Sequence, residues 1–202
     1  MSEGKLIIIE GGDGCGKTEQ AKRLVGWLQS RGLQASYVHV GRHAPASARI
    51  YDIVTDPGHE LHPETKLWLY NAAERESSLV MQALLREGTW VVADRSWRSR
   101  VAYQGAGEGL DRDMVEASAR PSSVVEADLC IILDVPVAVG RARVDGRGAR
   151  DWFEQQSDDF HERIRDDYRR LARRDGLPSV AADRDIDAVT EDIRQLVLPL
   201  IP

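Results

Sequence analysis

The chain of 202 residues holds two cysteines, two phenylalanines and three methionines, and aromatic residues make up 6% of it. Two cysteines cannot supply a disulfide framework, they lie too far apart in the chain to suggest a zinc centre, and nothing in their use points to an oxidising compartment. Positive charge is not in excess: the formal net charge is −6, which argues against a dedicated nucleic-acid binder. Long apolar runs are missing as well. The first stretch, Met1–Glu10, has only four apolar residues in succession, so we read neither a signal peptide nor a membrane span, and expect a cytoplasmic protein. Five histidines are scattered without metal-site spacing. Hydrophobic residues at 42% are enough for a real core and too many for a disordered chain.

Strand and helix patterns alternate along the chain. Leu6–Ile9 is a β-branched run that stops at Glu10-Gly11 and reads as a buried parallel strand. Lys17–Arg31 is amphipathic and closed by Gly32. Ala35–Val40, Thr89–Ala93 and Asp128–Leu133 read as strands, and Pro178–Ala182 as a short last one. Helices are expected around Ala46–Val54, over Pro63–Arg86 with proline in its first turn and Gly88 as its stop, and over Ser96–Gln104 and Asp111–Arg120. Three more are expected at Pro136–Val144, Asp158–Arg174 and Asp187–Leu198. This alternation implies one α/β domain over residues 1–202: a three-layer P-loop fold with a five-stranded parallel sheet and helices on both faces.

Gly11-Gly12-Asp13-Gly14-Cys15-Gly16-Lys17-Thr18 matches G-x-x-x-x-G-K-[ST], with an apolar strand before it and a helix after it. Glycines let successive N–H groups turn toward phosphate oxygens at a helix N-terminus. Gly11, Asp13, Gly14, Cys15, Gly16, Lys17, Thr18 and Glu19 are the expected ATP contacts. Lys17 would reach the β- and γ-phosphates, and Thr18 would bind Mg²⁺. No guanine-reading N-K-x-D follows, and the chain is short for a motor. Both facts favour a small-molecule kinase. Asp94-Arg95 ends a strand at the ligand-binding end of such sheets. There Asp94 can face the metal and Arg95 can fork between phosphates. Arg141, Arg143, Arg147 and Arg150, interleaved with Gly146 and Gly148, suit a lid over about 141–154. A phosphate acceptor is mostly dianionic at neutral pH, so transfer to it needs no general base.

Together these segments resemble the thymidylate kinase family. IEGGDGCGKTEQ is similar to its phosphate loop, LYNAAER to its acceptor-site helix, DRSWRSRVAYQG to its DR…AYQG signature, and RGARDWFEQQ to its lid. The resemblance implies ATP- and Mg²⁺-dependent phosphorylation of a nucleoside monophosphate, usually dTMP, by a homodimer packed through helices. It implies catalytic arginines in the lid, here Arg147 and Arg150, beside Lys17, Asp94 and Arg95. It also implies an acceptor site of Asp13, Arg42, Tyr70, Asn71, Arg75, Arg95, Ser99, Arg100, Tyr103 and Gln104. Arg75 would bond the base, and Tyr103 would crowd the sugar 2′ position. Three departures stand out. Asn71 replaces the base-stacking Phe, only Arg42 stands in for the arginine of the usual T-R-E-P-G-G-T loop, and Arg100 sits where a small or amide residue is usual. Two alternatives therefore stay open at this point. One is a kinase of another pyrimidine, a modified nucleotide or a phosphorylated metabolite. The other is a P-loop protein that binds nucleotide without transfer.

Overall fold

A computed structural model describes residues 4–146, 148 and 150–202. The elements follow the alternation read above: β1 (Leu6–Gly11), α1 (Lys17–Ser30), β2 (Ala35–His39), α2 (Pro45–Thr55), α3 (Pro63–Arg86), β3 (Trp90–Asp94), α4 (Arg98–Arg100), a π-helical turn (Val101–Gly107), α5 (Arg112–Ala119), β4 (Leu129–Asp134), α6 (Val137–Asp145), α7 (Asp158–Asp175), β5 (Ser179–Ala181) and α8 (Ile186–Val197). The strands form one parallel sheet in the order β2-β3-β1-β4-β5.

β1 is buried along its whole length because both of its faces are covered. Leu6 and Ile8 point to a layer built on Leu67 and Met81 of α3, Val115 of α5, and Ile164 and Leu171 of α7. Ile7 and Ile9 point to the other layer, with Leu24 and Leu28 of α1 and Val189 and Ile193 of α8. From β1 the chain crosses to one side for β2 and β3, and to the other for β4 and β5. The loop after β1 leads to α1 on one face of the sheet and the turn after β3 to the opposite face, so the two part and leave a crevice at the carboxyl ends of these neighbouring strands. Among the described residues no helix is long and apolar enough to cross a membrane.

The expected helix over Ser96–Gln104 is the one element whose form differs. It is a short α-helical turn that widens into π-geometry over Val101–Gly107, all seven residues buried. Small residues allow this: a Cβ on Gly107 would lie 2.8 Å from the Phe160 ring of α7. Widened turns of this kind collect at functional sites, and this one carries Tyr103 and Gln104.

The phosphate loop lies directly on α6. A Cβ on Gly14, which has φ +71°, would meet the Gly140 carbonyl oxygen at 2.1 Å, and one on Gly140 would meet the Asp13 carbonyl oxygen at 2.6 Å. Backbone therefore packs on backbone, with no flexible side chain to give way. Gly140→Ala should destabilise the protein by about 1–3 kcal/mol through overpacking. In a thermal melt, that is a fall of roughly 2–4 °C per kcal/mol for a chain of this size.

Candidate functional site: a phosphate loop joined to an aromatic cavity

The loop between β1 and α1 closes around its own lysine. Lys17 Nζ donates to the carbonyls of Gly11 (3.0 Å) and Gly12 (2.7 Å), and the buried Cys15 thiol lies 3.6 Å away. Thr18 Oγ1 donates to Asp94 Oδ2 at 2.6 Å, and the Tyr37 hydroxyl reaches the same oxygen at 3.2 Å. Asp94 is 1% exposed, and its Oδ1 has no hydrogen-bond partner among the described residues. A hydroxyl beside a buried carboxylate with a spare oxygen suits a hard, oxygen-seeking cation such as Mg²⁺. Glu19 stands at the rim, held by Arg23 at 2.8 Å. The open space here, about 430 Å³, is bordered by Asp13, Lys17, Thr18, Asp94 and Arg95.

At the end of β3 the chain turns sharply. Arg95 has φ 78°, the only positive φ at a non-glycine position among the described residues. Such a conformation costs on the order of 1–3 kcal/mol and needs its surroundings to enforce it. The enforcing group is Glu10, fully buried at the end of β1. Its Oε1 accepts from the Ser96 amide (2.6 Å) and hydroxyl (2.8 Å), and its Oε2 from Ser99 Oγ (2.8 Å) and the Tyr168 hydroxyl (2.9 Å). Arg95 is thereby aimed at Asp13, with Nη2 2.8 Å from Oδ1, and it lies over the Tyr103 ring at 4.9 Å. Tyr103 donates to the same Asp13 oxygen at 2.7 Å. Burial alone would raise the Asp13 pKa. The Arg95 and Lys17 charges and the Tyr103 hydroxyl outweigh it and hold the carboxyl below its ordinary value.

Beyond Arg95 a second cavity opens, walled by Tyr51, Tyr70, Tyr103 and Phe153, with Glu74, Ser99, Arg100 and Gln104 also lining it. Asp13, Tyr51, Arg95 and Asp151 border both cavities, so the two meet at the Asp13–Arg95 pair. The second cavity is narrow, about 40 Å³, because the Phe153 ring packs 6.2 Å from Tyr70 and 5.6 Å from Tyr103. Of the α3 residues expected at the acceptor site, Tyr70 lines this cavity and Asn71 and Arg75 do not. Glu74 lines it as well. Asn71 instead donates to the Ser118 carbonyl of α5 at 3.3 Å, and Arg75 is exposed and bonds the Pro121 carbonyl at 2.5 Å. Both side chains are thus turned to α5 and the segment after it, because packing of α3 on α5 sets the helix phase. Glu74 forms a buried ion pair with Arg100 Nη2. Removing one member of such a pair typically costs about 3–5 kcal/mol. Arg42 borders neither cavity: it lies over the Tyr51 ring at 4.2 Å and pairs with Asp52.

The lid arginines divide. Arg147 lies outside the described residues. Arg150 pairs with Asp145 and borders a separate cavity behind the phosphate loop, with Arg141 and Arg165. In this conformation Arg150 thus lines a cavity bordered by Gly12 and Asp13 of the loop and not the one bordered by Lys17 and Thr18. Arg143 is the lid arginine that borders the phosphate-loop cavity, with Nη1 3.3 Å from the Gly14 carbonyl oxygen and 2.9 Å from that of Ala182. It sits on α6, which packs against the loop, whereas Arg150 follows the end of that helix.

The thymidylate kinase family model matches residues 9–193. The chain belongs to the thymidylate kinase family. It is 34% identical over 193 residues to the thymidylate kinase of Afipia carboxidovorans, covering 93% of this chain and 85% of that protein. It is 34% identical to that of Nitrosospira multiformis, covering 96% and 95%, and to that of Nitrosomonas europaea, covering 100% and 94%.

For a thymidylate kinase family member, several positions in this crevice escaped sequence reasoning, Glu74 and Phe153 of the acceptor cavity among them. Glu10 carried a signal, a carboxylate ending an otherwise apolar strand, that was read only as the strand's stop. Tyr37 and Tyr51 carried none, because a tyrosine on a strand or helix gives no hint of which side it faces. Asp151 borders both cavities, and its carboxyl is pushed up to about 6. Burial is the main cause, and the Asp13 and Glu154 charges add to it against the Glu154 amide bond. A carboxyl more basic in the folded chain than its ordinary 3.8 stabilises the fold at low pH, and that contribution is lost as pH rises from about 4 through about 6. Asp151→Asn should remove this loss while keeping the accepting oxygen for Glu154. The difference in Tm, variant minus wild type, should grow in the variant's favour between pH 4 and pH 7.

Proposed function

We propose that this chain transfers the γ-phosphoryl group of ATP to dTMP, yielding dTDP and ADP. The observation that carries the reading is that a phosphate loop and an aromatic-walled cavity meet at Asp13 and Arg95. A donor held by the loop and an acceptor held by the cavity would then face each other across these two residues. The relatives named above all bear the name thymidylate kinase.

Positioning and charge neutralisation do the work. Lys17 leaves its own loop carbonyls for the β- and γ-phosphates. Arg95, locked by Asp13 and Ser99, forks between the transferred and accepting phosphates, and Arg143 of α6 joins it from the lid side. Tyr103 abuts the sugar. Asp13 stays ionised and acts as an anchor for Arg95 and Tyr103, since a dianionic acceptor phosphate needs no base. Thr18 and Asp94 would hold Mg²⁺, which when bound neutralises phosphate charge. The acceptor cavity is far smaller than the few hundred Å³ usual for ligand sites. The turn of the lid that carries Phe153 is the part that swings out to admit the nucleotide.

The reading extends to one domain with a lid over about 141–154, in the reducing cytoplasm that its free Cys15 and Cys130 suit. It also includes a homodimer formed through α3, where Trp68 (57% exposed) and Leu79 (46%) stand eleven residues, or about three turns, apart on one edge.

ADP release from ATP should depend on dTMP, and release unaffected by any monophosphate would refute the assignment. Lys17→Ala should lower kcat by about 10²–10³-fold with the fold intact by circular dichroism. Trp68→Glu should shift the species seen by light scattering from dimer to monomer.

A further inference from the structure

We infer that Glu74 and Arg100 read the edge of the acceptor base: the Glu74 carboxylate accepts the N3–H of thymine, and the Arg100 guanidinium donates to an adjacent ring carbonyl. The inference rests on the dTMP reading above. Both side chains line the aromatic cavity, yet they are almost wholly buried, Glu74 at 1% and Arg100 at 4%. A buried ion pair that serves only stability gains little over apolar packing. Here it faces a space that its own helix walls with Tyr70, one turn before Glu74 and so on the same edge. Arg100 Nε has no hydrogen-bond partner among the described residues, which leaves donor capacity unused. Burial pushes the Arg100 pKa down to about 10, so it remains charged at neutral pH.

The chemistry of the pair matches one edge. Thymine presents acceptor, donor, acceptor along O4, N3–H and O2. A carboxylate offers only acceptors and a guanidinium only donors, so Glu74 beside Arg100 complements two neighbouring thymine groups. Cytosine places a lone pair at N3, where the carboxylate would face it without a proton between them. A buried site built to receive a hydrogen bond rejects strongly the base that cannot make it. The helix edge that carries Tyr70 and Glu74 thus takes the place that sequence reading gave to Asn71 and Arg75.

The test compares dTMP with dCMP as acceptors for wild type, Glu74→Gln and Glu74→Asp. An amide can turn its NH₂ toward the cytosine N3. Glu74→Gln should therefore raise the KM for dTMP by about 10–100-fold with a smaller change in kcat, and narrow the dTMP/dCMP ratio of kcat/KM at least about tenfold. Glu74→Asp keeps the charge opposite Arg100, and with it the buried pair. It withdraws the carboxylate by one methylene and should raise the dTMP KM alone, so the inference stays testable if the amide variant does not fold. Equal losses on both acceptors, with the ratio unmoved, would assign the pair to structure and overturn the inference. A wild type that favours dTMP while neither variant alters that preference would overturn it and leave the kinase assignment standing. A wild type that transfers to no monophosphate would overturn both.

Discussion

A carboxylate sits at the carboxyl end of the central strand with no access to water, and the geometry of the site depends on it. Glu10 accepts hydrogen bonds from Ser96, Ser99 and Tyr168, which tie β1 to the turn after β3 and to α7. A buried carboxylate left without partners is costly, so the turn has a strong reason to keep this shape. The shape forces Arg95 into its left-handed backbone conformation and directs its guanidinium at Asp13. Ser99 serves both ends, donating to Glu10 and accepting from Arg95 Nη1 at 3.3 Å. One connected polar network thus runs from the core of the sheet to the point where the two cavities meet.

The network gives each neighbouring group its assignment. With Arg95 and Tyr103 both on one oxygen, Asp13 is held ionised and fixed in place. Lys17 spends its donors on its own loop, while Asp94 is satisfied among the described residues on one oxygen alone, by Thr18 and Tyr37. The spare Asp94 oxygen borders the phosphate cavity, whereas both oxygens of Glu10 are taken up by the frame. Around the second cavity the same division holds between the Glu74–Arg100 pair, which lines it, and the Lys66–Glu108 pair, buried outside it at 2.6 Å.

The phosphate loop, the order of strands and helices, and most element ends were legible because each rests on near neighbours in the chain. Apolar runs, a glycine-rich turn and a proline or glycine at a helix end act within a few residues. α3 is expected and found over Pro63–Arg86. The loop motif falls between β1 and α1, as the spacing of its glycines and lysine requires. Asp94 and Arg95 were legible for the same reason, since the last residues of a parallel strand point to the ligand end.

The acceptor half was not legible to the same depth. Successive residues on a helix are turned by about 100°, so a choice of one residue moves a side chain from cavity to helix interface. Nothing local decides between Tyr70 with Glu74 and Asn71 with Arg75; the packing of α3 on α5 does, through contacts 47 positions apart such as Asn71 to Ser118. The π-helical turn, and the placing of Arg143 and not Arg150 at the phosphate-loop cavity, also depend on how α7 and α6 press on their neighbours. The sequence by itself determined that a phosphate loop opens a parallel α/β sheet with Asp94 and Arg95 beside it. Only the tertiary structure decided which side chains wall the acceptor cavity, because a helix's rotation about its axis is set by what it packs against.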